Sequence, residues 1–286
     1  MISDITLGQF FPGYSPLHKL DPRTKIILAV LAIVTVFLAN NTASFVFLTL
    51  ITLLLISISR ISLDVIIKGI KPILFILIFT SLLNIFMTEG RGEPLVDVWI
   101  IKIYTEGIVR AIFMALRVTL LIVLTSMLLT YTTSPIALTD GLESLLSPLK
   151  RIGVPVHTFA MMMSIALRFI PTLIEETEKI MNAQKSRGAD FTSGSLIKRA
   201  RALVPILIPL IVSSFKRAEE LATAMESRCY RGDKNRTKLV KLEYRARDLA
   251  FMAVSVLILT AVALLSTLPY SMSFSGLLLD IIFYKI

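Results

Sequence analysis

The chain has 286 residues, of which 55% are hydrophobic and only 17% charged, and its net charge is +10. A soluble domain of this size carries roughly 25% charged residues. The apolar residues here gather into long runs, which excludes a water-soluble globular protein and indicates one inserted in a membrane. A single cysteine, Cys229, excludes an internal disulfide framework. The first 23 residues include Asp4 and Asp21 and lack a basic start followed by an apolar core, so they do not read as a secretory signal.

Five segments read as spans: 26–39, 43–59, 72–87, 108–131 and 249–268. Crossing a bilayer takes about 20 helical residues, so the first and third runs are expected to extend into their flanks. Asn40, Asn41 and Thr42 join the first two spans as a helical hairpin. Lys19, Arg23 and Lys25 precede the first span, and Arg60, Lys68 and Lys71 follow the second. Residues 88–107 offer Arg91 and Lys102 against Glu89, Glu93, Asp97 and Glu106. The positive-inside rule then predicts a cytoplasmic N-terminus and an external 88–107 loop.

Residues 133–247 differ in kind. They hold 19 Lys and Arg against 11 Asp and Glu, which is +8 of the total +10. The apolar run 203–215 has 13 residues and contains Pro205 and Pro209. As a helix it reaches about 20 Å, too short for a ~30 Å core, and it reads as interfacial or bundle-packed. Ser134 and Pro135 supply a cap and a first helical residue, and Leu138, Leu142, Leu145, Leu146 and Leu149 follow on one face. Pro148, Gly153 and Pro155 end that helix. The next is expected from about His157 to Ser186 with a kink at Pro171, and another from about 203 to Arg228.

Two short sites stand out: Ala183-Gln184-Lys185-Ser186-Arg187-Gly188 and Ala224-Met225-Glu226-Ser227-Arg228-Cys229. Each places an arginine after a small residue at the expected C-terminal end of a long helix. A cation there is stabilised by the negative end of the helix dipole, and a small neighbour allows close approach of a partner. Spacing alone favours ordinary capping arginines over a docking role. Arg110 and Arg117 lie seven residues apart on one side of the fourth span; function and simple snorkelling to the interface are both open readings. His18 and His157 are isolated, Met161, Met162 and Met163 read as packing, and Glu175, Glu176 and Glu178 sit with Lys179 on a solvated face. No metal cluster, nucleophile or phosphate-cradling Gly-Lys-Ser loop is visible, so no catalytic residue is assigned. Interleaved aromatics are missing from the basic segment, which argues against nucleic acid.

The order of these motifs resembles the T components of energy-coupling factor importers, the EcfT/CbiQ-like family. The resemblance is carried by Ser15-Pro16-Leu17-His18-Lys19-Leu20-Asp21-Pro22-Arg23-Thr24-Lys25, by Gly153-Val154-Pro155, by Leu167-Arg168-Phe169-Ile170-Pro171 and by the two arginine sites. The family has Ala-Arg-Gly where this chain reads Ser186-Arg187-Gly188 and Ser227-Arg228-Cys229. Cys229 departs most, because it replaces a glycine that favours a left-handed turn.

The resemblance implies an all-α, polytopic membrane protein with about five to six transmembrane helices and a cytoplasmic helical coupling region. Residues 1–132 would form the N-terminal transmembrane helices, 133–247 the cytoplasmic or interfacial coupling helices, and 248–286 the last span and tail. It further implies a non-catalytic subunit in a prokaryotic plasma membrane. Its partners would be two cytoplasmic ABC-type ATPases, identical or not, which hydrolyse ATP and receive Arg187 and Arg228, and a membrane S component that binds a vitamin or transition metal. No cofactor would bind the chain itself. The alternative is a stand-alone secondary transporter or channel. It would need polar residues at membrane depth, where Asn84, Arg110 and Arg117 are the few on offer.

Overall fold

A computed structural model describes residues 11, 13–88, 96–98, 101–189, 191, 195–230, 232 and 242–267, with backbone only at 96–98, 101, 102, 196, 198 and 200. It is an all-α polytopic fold that divides into two compact units. One comprises Phe10–Gly141 and Leu242–Ile286, the other Met1–Gln9 and Leu142–Lys241.

In the first unit, α1 (Pro22–Leu38) starts where Asp21 accepts the Arg23 amide at 2.9 Å and Pro22 takes the first helical position. The turn at Asn41, whose amide donates to the Ser44 hydroxyl at 3.2 Å, leads into α2 (Thr42–Ser59). Next, α3 (Leu63–Ile70) passes through a 3-10 turn at Lys71–Ile73 into α4 (Leu74–Met87), so the third span does extend upstream, to 25 residues. The 88–107 loop holds a short antiparallel pair that a helix-only reading did not anticipate. Here β1 (Val96–Val98) faces β2 (Ile101–Ile103), with Val96 opposite Ile103. Val-Asp-Val and Ile-Lys-Ile alternate with the strand period of two. Beyond it, α5 (Thr105–Thr125) continues as a π-helical stretch, Ser126–Tyr131, and the unit closes with α9 (Ala246–Thr267).

Val36, Phe45, Leu48, Leu120, Leu124 and Val262 form the core between α1, α2, α5 and α9. Hydrogen bonds fix the helix directions. The buried Asp248 carboxylate, in the first turn of α9, accepts the Asp21 amide at 2.8 Å and the Arg245 amide at 2.8 Å. At the other end, the Asn41 side chain donates to the Leu265 and Ser266 carbonyls, both at 3.3 Å. Helices α1 and α9 therefore run parallel and begin on the same side. The buried Lys25 ammonium donates to the Thr132 carbonyl at 2.6 Å, which returns the end of α5 to that side too. Residues 132 and 245 thus lie at the same end of this helix bundle.

The second unit is built on two long helices. The helix α6 (Pro135–Leu146), which leads into it, begins as expected: the Ser134 hydroxyl accepts the Ala137 amide at 3.3 Å. A 3-10 segment, Ser147–Ile152, ends at Gly153, whose φ of 87° needs a glycine. Then come α7 (Val156–Ser186) and α8 (Leu196–Ser227), of 31 and 32 residues. Pro171 lies within α7, and Pro205 and Pro209 within α8. The 203–215 run is thus the middle of a longer helix that starts seven residues earlier than its hydropathy suggests, because Lys198, Arg199 and Arg201 make the first turns polar. By length and composition α7 qualifies as a span and α8 does not; five helical segments qualify in all among the described residues.

Candidate functional site

The ends of α7 and α8 are built the same way. At α7 the Gly188 amide donates to the Lys185 carbonyl at 2.9 Å and the Ala189 amide to the Gln184 carbonyl at 3.0 Å. At α8 the Cys229 amide donates to the Glu226 carbonyl at 2.8 Å and the Tyr230 amide to the Met225 carbonyl at 3.0 Å. Both are Schellman closures, a 5→2 bond inside a 6→1 bond, with a left-handed residue at the centre. That residue is Gly188 at φ 87° and Cys229 at φ 56°. The second site therefore keeps the closing geometry of the first despite lacking the glycine.

Each closure sets its arginine just past the last helical residue, where unpaired carbonyls give the dipole its negative end. Arg187 and Arg228 are exposed, as are Ser186, Gly188, Ser227 and Cys229. Neither guanidinium has a partner among the described residues. The small neighbours are turned inward: the Ser186 hydroxyl donates to the Asn182 carbonyl at 3.1 Å and that of Ser227 to the Ala224 carbonyl at 3.0 Å. What remains outward at each tip is one flexible cation. The flanks differ, with Lys185 before one tip and Glu226 before the other.

The tips are not brought together. Glu176 on α7 pairs with Arg217 and accepts from the Ser213 hydroxyl at 3.0 Å. Nearer the start of α7, the Tyr230 hydroxyl reaches the Met161 sulfur at 3.2 Å. These pairings make the helices antiparallel. Arg187 lies eleven residues beyond Glu176, and Arg228 eleven beyond Arg217. Each arginine therefore projects about 16 Å from the crossing point, in opposite directions. Of the sequence candidates, Glu176 carries a partly exposed salt bridge that reaches across to Arg217 on α8 and so ties the two helices at their crossing.

The closures carry a stability prediction. Nothing lies within 4 Å of a Cβ built on Gly188, so Gly188→Ala suffers only the left-handed strain, about 1 kcal/mol, while Cys229→Gly relieves about as much. Hydrogen exchange of the last-turn amides should speed up in the first variant and slow in the second.

Arg117 and Arg110 separate. Arg117 donates to the Ala39 carbonyl at the end of α1 at 2.6 Å and lies over the Phe45 ring, 5.4 Å from its centroid. It ties α5 to the α1–α2 turn, while Arg110 is exposed. The sequence reading missed the buried Asp21, Lys25 and Asp248 cluster. Its one signal was a carboxylate and a lysine each set at the start of an apolar span. Beside it, His18 donates from Nε2 to the Phe11 carbonyl at 2.9 Å and accepts at Nδ1 from the Ser15 hydroxyl at 2.7 Å. Burial lowers its pKa, opposed by the Phe11 hydrogen bond and aided by the Lys25 charge. Among the described residues no cluster of three or more His, Cys, Asp or Glu is placed to hold a metal.

Five helical segments long and apolar enough to cross a bilayer define a multi-pass membrane protein. The chain belongs to the CbiQ family, described as "Cobalt transport protein", which it matches over residues 13–239. It is 52% identical over 266 residues to the energy-coupling factor transporter transmembrane protein EcfT of Clostridium kluyveri, covering 93% of this chain and 98% of that protein. To the EcfT of Ruminiclostridium cellulolyticum it is 53% identical over 266 residues, with the same coverage. To that of Bacillus subtilis it is 49% identical over 261 residues, 91% of this chain and 97% of that one.

Proposed function

We propose that this chain is the membrane coupling subunit of an ATP-driven importer. It passes the motion of two cytoplasmic ATPases to a separate membrane subunit that binds a vitamin or transition metal. The observation that supports this most is the pair of identically closed helix ends, each offering one arginine without a partner among the described residues, on opposite sides of the crossing. Two ATPases that approach and separate through an ATP cycle would each hold one tip. The pin at Glu176 and Arg217 would turn that movement into a change of crossing angle. ATP is bound and hydrolysed by the partners, not by this chain. The relatives' printed name, energy-coupling factor transporter, agrees with the reading. Reconstituted alone, the chain should move no substrate; with the ATPases and the substrate-binding subunit, uptake should require ATP. Uptake by the chain alone would overturn the assignment in favour of a secondary transporter or channel.

The same reading puts the N-terminus and residues 133–247 in the cytoplasm. On this reading α7, although long and apolar enough to cross, stays on the cytoplasmic side, and α8 is too polar to cross. Cys229, the sole cysteine, is exposed, so orientation is testable without engineering. A membrane-impermeant maleimide should label it in inside-out vesicles and leave it unlabelled in right-side-out ones. Bound ATPases should protect it.

A further inference from the structure

A cavity of about 510 Å³ opens between α1, α2 and α9, floored by Leu124 of α5 and Leu128 of the π-helical stretch that follows it. Its walls run from Leu48 to Ile58 on α2 and from Ala250 to Ile258 on α9. The hydroxyls on it are already spent. Thr35 donates to the Leu31 carbonyl at 2.7 Å, Thr52 to Leu48 at 2.7 Å and Ser255 to Met252 at 2.8 Å. The occupant is therefore offered hydrocarbon contact and nothing else. A whole spanning helix, about 10 Å wide and 30 Å long, displaces roughly 2,000 Å³ and does not fit. The eleven residues from Leu48 to Ile58 cover about 15 Å, half of a ~30 Å bilayer core, which is the depth of one leaflet.

Charge identifies which lipid. At the outer end Asn41 draws α2 and α9 together, so the groove belongs to the half that holds the N-termini of α1 and α9. At that end Arg247 lies one turn before Phe251, a lining residue, and Arg60 follows Ile58 as the left-handed residue closing α2. Both arginines are exposed, whereas the one carboxylate in the first turn of α9, Asp248, is turned inward onto Asp21. We propose that this groove binds an anionic phospholipid of the inner leaflet, with one acyl chain between α2 and α9 and the phosphate at Arg60 and Arg247.

The test uses the full chain in vesicles. Trp99→Phe removes the only tryptophan. Leu54→Trp then reports from the groove and Phe79→Trp from α4, at positions that are 58% and 52% exposed and so accept the larger ring. Val254→Trp is a second groove reporter should the first fail to fold. Phosphatidylcholine vesicles are doped with chain-brominated phosphatidylglycerol or chain-brominated phosphatidylcholine. The groove reporter should be half-quenched at an about tenfold lower fraction of phosphatidylglycerol than of phosphatidylcholine, the order expected of two basic groups at an anionic headgroup. Arg60→Gln with Arg247→Gln should erase that preference, and Phe79→Trp should show little of it. Equal quenching by the two lipids in the groove, or a groove curve that follows Phe79→Trp, would overturn the proposal; the latter would point to a protein partner filling the space.

Discussion

Arg187→Ala combined with Arg228→Ala should strip the chain of its ATPases on purification from the membrane. Truncating one partner of a desolvated, hydrogen-bonded charge contact typically costs about 2–5 kcal/mol. On the proposed function each tip would be one such contact, and the two are held on a single pair of crossing helices. Once one tip is docked, the second docks at high effective concentration, so the single variants should keep partial assembly while the double variant loses more than the two losses combined in isolation suggest. The substitutions themselves should leave the fold alone, because both side chains are exposed and neither has a partner among the described residues. Arg→Lys at both tips separates charge from shape: it keeps the dipole interaction and loses the planar fork, so assembly should fall between wild type and double alanine. Full co-purification and full ATP-dependent uptake by the double alanine variant would sink the docking role.

The helix ends were the most legible part of the sequence, and the reason is local. A closure of the Gln184–Ala189 kind is decided by a few consecutive residues, so Gly188 announces it. Cys229 does not, since nothing in its chemistry favours a left-handed turn; the bonds from Cys229 and Tyr230 back to Glu226 and Met225 impose it. Four of the expected spans were readable from hydropathy for a similar reason, while α1 at 17 residues falls short of the length that qualifies and α7, whose polar second half hid it, qualifies instead. The crossing at Glu176 and Arg217 was hidden because its residues are 41 positions apart and each looks like an ordinary solvated charge. Arg110 and Arg117 illustrate the same limit. One face of one helix carries both, yet only Arg117 meets the end of α1.

Asp248→Ala should be the most destabilising single change in the membrane unit. The carboxylate is 2% exposed and accepts the amides of Asp21 and Arg245, so it caps the helix it sits on and the helix beside it. Removing it strands the buried Asp21 N–H, at about 1–3 kcal/mol, and takes the cap from the partly exposed Arg245 N–H. It also takes away one of the two carboxylates whose charge balances the buried Lys25, which then rests on Asp21 and the carbonyls of His18 and Thr132. A combined loss of about 3 kcal/mol is the expected order, visible as a fall of several degrees in the unfolding temperature in mild detergent. Asp248→Asn should be intermediate: its carbonyl satisfies one amide, and its NH2 turns a donor toward the other. Asp248→Glu keeps the charge but lengthens the side chain by one methylene in a packed site, so it too should fall short of wild type. The distinctive expectation is where the loss is felt. Asp248 joins the start of α9 to the start of α1, so in the alanine variant amides in the first turns of both helices should exchange faster, while the α7 and α8 closures should not change. An Asp248→Ala protein that unfolds at the wild-type temperature would show that the parallel α1–α9 pair is held by apolar packing alone.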